Sequence, residues 1–306
     1  GGLVQGPDGT LYATAENGGT NGSGTVFSIR PDGSGFTVLY NFTPLISGTN
    51  MDGAQPCGGL ILSGDGRLYG TASGGGASES IQNLGGQLVG SGTIFSLKTN
   101  GTDFSVLHAF DKFVYGSINP TNNDGASPRA ALLLGTDGKL YGTAPEAGAG
   151  ASGTIFCLCT NGSHYTVLHT FDDSPFPPGS PYFGYGLYPS GGLIQGRDGI
   201  LYGVAFGGGL VSNGGYFAGT LYRLNPDGSG LALLHSFAGL DPTANTNADG
   251  ANSTAALLQT SGGTVYGLTS AGGINGSGTM GSFTPPVVLQ VAMANDVVAL
   301  SWPATA

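Results

Sequence analysis

The groups in this chain that could move a proton, attack a carbon or hold a metal are few: four histidines, three cysteines and 18 carboxylates. Three histidines share one local sentence, VLHAF at 106–110, VLHTF at 167–171 and LLHSF at 233–237, and Tyr40 takes that place in VLYNF at 38–42. Such a triplet suggests a metal site. Yet His108, His169 and His235 occupy equivalent places in separate copies of one unit, and equivalent places do not converge on one ion. Each is therefore expected to be a packed ring with a hydrogen-bonded tip. His164 lies in a turn region and carries no signal.

The carboxylates divide by context. Asp8, Asp32, Asp65, Asp137, Asp198 and Asp227 each precede glycine between apolar runs. Tight turns need that pair, because Asp bonds its own backbone and Gly accepts positive φ. Asp52, Asp124 and Asp249 recur in TNMDGAQP, TNNDGASP and TNADGANS. These read as turns entering a repeat. A calcium-stabilised loop is the alternative, without EF-hand spacing. Glycoside hydrolysis needs two carboxylates facing a sugar, and the innermost run of each repeat holds no acid. No Ser or Cys sits in a nucleophile elbow or triad setting. No catalytic, cofactor-binding or metal residue is therefore assigned. Cys157 and Cys159 point to the same face of one strand and are poorly placed to bond each other. Free thiols, or one bridge from Cys57 to either of them, remain the alternatives.

Aromatic residues give the strongest interaction signal. SPFPPGSPYFGYGLYPS at 174–190 gathers Phe176, Tyr182, Phe183, Tyr185 and Tyr188 in one expected loop. Tyr216 and Phe217 fall in the next repeat's loop, and Phe113 and Tyr115 in the preceding one. Such rings can cover the end of a sheet, form a subunit contact or stack on a sugar.

The elements that must position these groups follow from an internal repeat. GGLVQGPDGTLY at Gly1–Tyr12 returns at Gly58–Tyr69, Ala130–Tyr141, Gly191–Tyr202 and Ala255–Tyr266. Each full copy holds four short apolar runs, A to D; in the first these are Leu3–Gln5, Leu11–Ala15, Thr25–Ile29 and Phe36–Phe42. Asp-Gly turns join A to B and C to D. Phe36, Val38, Tyr40 and Phe42 alternate, as residues sharing one face of a strand do. The expected fold is an all-β propeller of about five four-stranded blades, at 1–57, 58–129, 130–190, 191–254 and 255–283. A β-solenoid is the weaker alternative. The B–C and D–A connections are long and irregular and share one end of the blades, where binding is expected.

Composition narrows the class. Glycine is 60 of 306 residues, hydrophobic residues are 39% and charged residues 8%, with a formal charge of −10. So few basic residues argue against nucleic-acid binding and an anionic membrane surface. No run of about 18 apolar residues suggests a membrane span. The first residue already lies inside a repeat, so the chain is expected to be processed or trimmed. Low charge with abundant Gly, Ser, Thr and Asn fits an extracellular or cell-surface protein.

At DGRLYGTASGGG (65–76) and DGKLYGTA (137–144), followed by GT-[VIL]-[FY] and VLHxF runs, the chain resembles the bacterial tandem-repeat family Gloeo_Verruco, or GloVer. The resemblance covers about residues 1–283. It implies a repeat fold and a secreted or surface location, and it carries no catalytic residues. The fifth copy lacks a VLHxF run, and Thr284–Ala306 departs from the repeat. Val287, Leu289, Val291 and Met293 alternate like a strand. They are expected to complete the fifth blade, to pair with the edge of a second copy, or to begin a β-sandwich domain. The functional expectation is a non-catalytic extracellular structural or adhesive protein that self-assembles, as filaments where strand donation propagates. A carbohydrate-binding propeller using the 174–190 loop is the alternative, and a glycan-active enzyme the third.

Overall fold

A computed structural model describes residues 2–76, 81–82, 88–112, 122–172, 182–210, 218–241, 243–285, 290–294 and 297–301. Among these residues the chain is all-β. The first sheet holds β1 (Val4–Gln5), β2 (Leu11–Ala15), β3 (Thr25–Ile29) and β4 (Thr37–Asn41). The second copy contributes β5 (Ile61–Leu62), β6 (Arg67–Ala72), a small pair β7 (Ile81–Gln82) and β8 (Leu88–Val89), then β9 (Thr93–Lys98) and β10 (Ser105–Ala109). The third contributes β11 (Leu133–Leu134), β12 (Lys139–Ala144), β13 (Ala151–Cys159) and β14 (Thr166–Asp172). After β15 (Tyr182–Leu187) come β16 (Ile194–Gln195), β17 (Leu201–Ala205), β18 (Gly207–Leu210), β19 (Thr220–Leu224) and β20 (Ala232–Ser236). The fifth copy has β21 (Leu258–Gln259), β22 (Val265–Leu268) and β23 (Met280–Phe283), and the tail has β24 (Gln290–Ala294) and β25 (Val297–Ser301).

Copies one to four each form a four-stranded antiparallel sheet in the order of the runs A, B, C, D, and the fifth forms a three-stranded sheet. The Asp-Gly turns have the expected chemistry. In the third sheet, Gly138 adopts φ 78°, its N–H donates to Gly135 O at 3.0 Å, and Asp137 Oδ1 accepts from Lys139 N at 3.2 Å.

Successive sheets pack face to face and share apolar cores. Tyr12, Val26 and Phe42 of the first meet Leu68, Phe95 and Leu97 of the second. Tyr69, Ile94 and Phe110 meet Leu140, Phe156 and Leu158. Tyr141, Ile155 and Phe171 meet Leu201, Tyr222 and Leu224. A smaller core joins Tyr202, Val204 and Leu221 to Leu257 and Val265. Hydroxyls stitch the same joints: Thr14, Thr71 and Thr143 each donate to a carbonyl at the start of the next copy, on Gly58, Ala130 and Gly191.

A glycine and a ring face each other inside the sheets. Gly70 pairs with Phe95, Gly142 with Phe156 and Gly203 with Tyr222. A Cβ on Gly70 would stand 2.5 Å from the Phe95 ring and one on Gly142 2.4 Å from Phe156, so the missing side chain makes room for the aromatic. That ring continues into the gap between sheets. Phe95 meets Phe42 edge-on at 5.2 Å, and Phe156 meets Phe110 at 5.6 Å.

Strand D departs from simple alternation. In the first sheet Val26 pairs with Tyr40 and Phe27 with Val38, so Leu39 is an extra residue. The second, third and fourth sheets show the same register shift. This β-bulge brings Leu39, Tyr40 and Phe42 onto one core, while Phe36 and Val38 are exposed. The four residues expected to share a face are thus divided at the bulge.

The tail strands β24 and β25 pair with each other, Val291 opposite Leu300 and Met293 opposite Val298. Neither belongs to the fifth sheet, so the expected completion of that sheet by its own tail is not the pairing found; Val287 and Leu289 lie outside the described residues. A hairpin of adjacent strands meets both partners' hydrogen-bonding needs locally. Cys57, Cys157 and Cys159 are free thiols, and burial raises the pKa of Cys157.

Tyr222 has the one ring hydroxyl that is buried without a hydrogen-bond partner among the described residues. The equivalent places hold Phe27, Phe95 and Phe156. Tyr222→Phe removes an unsatisfied buried group, and thermal denaturation should show stability raised by about 1 kcal/mol. A loss of stability would mean that the hydroxyl has a partner.

Candidate functional site

Tyr40, His108 and His235 each meet one of the recurrent aspartates, at the first, second and fourth joints. Tyr40 Oη donates to Asp52 Oδ2 at 2.8 Å, and His108 Nε2 lies 2.8 Å from Asp124 Oδ2. His235 Nε2 stands at the same distance from Asp249 Oδ2. Each carboxylate also accepts a backbone N–H: from Thr43 at 2.9 Å, Asp111 at 3.0 Å and Ala238 at 3.0 Å. The bulge in strand D aims the ring at this carboxylate, 12 to 16 residues further along the chain.

The asparagine two places before each aspartate completes the loop. Asn122 donates to Asp111 O at 3.0 Å and Gly125 O at 2.7 Å. Its Oδ1 accepts from Gly125 N and Gly148 N, both at 2.9 Å. Asn50 and Asn247 make the matching bonds. The aspartate carbonyls accept hydroxyls from the next sheet, Thr93 at 3.1 Å, Thr154 at 2.9 Å and Thr279 at 2.9 Å. Each loop therefore latches the outer strand of one sheet to the third strand of the next. The turn reading of these motifs matches this geometry. Calcium, the alternative, would have to displace the donors already on the carboxylates.

The asparagines and the nonlocal ring–carboxylate pairs were missed from sequence, although TNxDG and VLHxF recur together. In the third copy Tyr185 stands at the aspartate's place, three residues before Tyr188. Tyr188 shares a left-handed backbone, φ 58°, with Gln55, Ser127 and Asn252, the residues at its place in the other loops. His169, on that joint, has a pKa lowered by burial, which Asp172 opposes.

The expected aromatic loop is partly strand. Tyr182, Phe183 and Tyr185 lie on β15, whose residues Tyr182 and Phe183 pair with Leu210 and Gly209 of β18. Tyr188, just beyond, is exposed, and its N–H donates to Ser152 O at 2.9 Å. Phe113, Tyr115, Phe176, Tyr216 and Phe217 lie outside the described residues.

Ring stacking distinguishes the joints. Between the first two sheets Tyr40 lies flat on Phe104 at 3.7 Å, and between the next two His108 lies flat on Tyr165 at 3.7 Å. At the fourth joint strand D of the fifth sheet is lacking among the described residues. There a cavity of about 440 Å³ opens among Leu234, His235, Phe237, Asp249, Gly267 and Gly281. Side-chain exposure follows: 20% and 9% for His108 and Asp124, against 46% and 30% for His235 and Asp249. Among the described residues, no three His, Cys, Asp or Glu side chains are grouped to hold a metal.

Asp124→Ala should lower stability by about 3 kcal/mol, because it strips a half-buried imidazole and a backbone N–H of their acceptor. Asp249→Ala should cost clearly less at its more exposed joint; chemical denaturation of both variants checks the order. His169 gives a pH prediction. Its folded pKa lies below the ordinary value of about 6.5, so the unfolded chain binds its proton first. The stability contribution is complete above that value and is lost as pH falls below it. His169→Phe should therefore reduce the fall in melting temperature between about pH 7 and pH 5; an unchanged pH dependence would contradict this.

Known structures resemble the chain at the level of fold. A nidogen/laminin complex is 16% identical, with a TM-score of 0.48, covering 87% of this chain and 70% of that one. A Dyadobacter fermentans protein of unknown function is 12% identical, with a TM-score of 0.48 over 87% and 73% of the two chains. The extracellular domain of a candidate one-component system of B. thetaiotaomicron is 11% identical, with a TM-score of 0.50, over 95% of this chain and 28% of that one. No curated protein matches the sequence. The Gloeobacter/Verrucomicrobia repeat matches residues 1–281, the span that runs from the first sheet into β23, and the chain belongs to that repeat family.

Proposed function

We propose that the five sheets are successive blades of a β-propeller that serves outside the cell, or on its surface, as a non-catalytic structural or adhesive module and associates with its own copies. One observation carries this reading: β23 has no neighbour on its outer edge among the described residues. Met280 on β23 and Leu268 on the adjoining β22 are exposed, and an unpaired strand edge is a template for another strand. Contact between two unlike ends is heterologous and propagates into filaments. The tail hairpin supports the reading, since β24 pairs with β25 on one edge and, among the described residues, has its other edge open to join β23 of a neighbour through Val291 and Met293. The recurrent carboxylates are engaged in turns and latches, which favours a scaffold over a glycan-active enzyme.

A second reading rests on Tyr188. An exposed ring beside the β15–β18 pair suits stacking on an extracellular glycan.

The test is sedimentation and negative-stain electron microscopy of the whole chain and of a chain ending at residue 283. Concentration-dependent filaments or oligomers are expected from the first, and folded monomers from the second. Monomers of the whole chain at every concentration would contradict self-assembly. Glycan binding lost with Tyr188→Ala would then favour the second reading.

A further inference from the structure

The cavity at the fourth joint lies where two aromatic rings sit at the first and second joints. The third strand of a sheet supplies one: Phe95 opposite Gly70, and Phe156 opposite Gly142. The start of the fourth strand supplies the other: Phe104 flat on Tyr40, and Tyr165 flat on His108. Among the described residues, the fifth sheet has neither ring. Gly267 keeps the glycine that elsewhere makes room for a ring, but its cross-strand partner is Gly281. A Cβ built on Gly281 would meet nothing within 4 Å. The bonded His235–Asp249 pair and Phe237 line the cavity, and the imidazole is more than twice as exposed as that of His108.

We propose that this cavity is a binding site for an aromatic side chain carried on an extended polypeptide strand that adds antiparallel to β23. The strand it fits has the pattern of this chain's first three outer strands: a ring, one residue, an aliphatic residue, Leu, His or Tyr, one residue, Phe. Its backbone satisfies the open edge of β23. Its leading ring lies flat on His235, as Phe104 lies on Tyr40 and Tyr165 on His108, and the aliphatic residues cover Leu234 and Leu268. The joint between sheets four and five thereby gains the core that the earlier joints have. This inference rests on the reading that β23 accepts a strand. It does not require that strand to be the tail, whose β24 and β25 carry no aromatic residue.

A labelled peptide of residues Ser163–Asp172, SHYTVLHTFD, tests it by fluorescence anisotropy against the whole chain. Saturable binding is expected. Tyr165→Ala in the peptide should weaken it by about tenfold or more, the scale of one lost buried stacking ring. Gly281→Phe in the chain restores the first of the two rings and gives the peptide's ring the surface that Phe95 gives Phe104 and Phe156 gives Tyr165, so it should raise the melting temperature and tighten peptide binding by about threefold or more. Gly281→Ala, which leaves the cavity open, should bind as the native chain does. Absence of saturable binding, or binding indifferent to Gly281→Phe and to Tyr165→Ala, would overturn the site. Sedimentation of the same samples separates the two ideas. Peptide binding by a chain that never self-associates would sink the assembly reading and leave the site standing. Self-association without peptide binding would do the reverse.

Discussion

The structure depends on a constraint between neighbours: no sheet of four short strands can bury its own faces, so each must lend side chains to the next. The means is a glycine on the second strand with a ring opposite it on the third. The glycine lets the ring lie across the sheet, and the ring then reaches the preceding sheet's outer strand. Phe95 and Phe156 are fully buried in this way, as is Tyr222. Where the ring is absent, at Gly281, the core thins to Tyr202, Val204, Leu221, Leu257 and Val265, and a cavity takes its place. The same rule thus explains both the strong joints and the weak one.

The polar latches build on that arrangement rather than replace it. A ring hydroxyl or imidazole, a carboxylate and an asparagine fix the loop between sheets, and a threonine hydroxyl from the next sheet closes it. Burial lets these bonds contribute more than exposed ones would. The chain uses Tyr40 and His108 interchangeably there, because either ring tip can bond the aspartate carboxylate. With eight basic residues in 306, ion pairs cannot carry much cohesion.

Much of the fold was legible because its signals are local and repeated. Four runs per copy, Asp-Gly turns, and the shared place of His108, His169 and His235 all follow from short motifs. The bulge at Leu39 was not, because an alternating pattern of apolar residues does not reveal one inserted residue. The glycine–ring pair was not recognised either: glycine in a strand reads as a turn signal until its cross-strand partner is known. The latch joins residues 16 apart, such as His108 and Asp124, and only the bulge brings them together. The fifth copy's defect was visible in part. GTMGSF at 278–283 replaces the ring of GTIFSL by glycine, but its meaning needed the filled joints for comparison. Residues 174–190 read as a loop, yet Tyr182–Leu187 is a strand, since glycines 207–209 give β15 a partner in β18.

Cohesion is set joint by joint by the ring over the glycine. Amide hydrogen exchange of the intact chain, resolved by strand, tests it most directly. Slow exchange is expected in β9 and β13, whose rings are in place, and much faster exchange in β22 and β23, where Gly267 faces Gly281. Protection of β22 and β23 equal to that of β12 and β13 would contradict it.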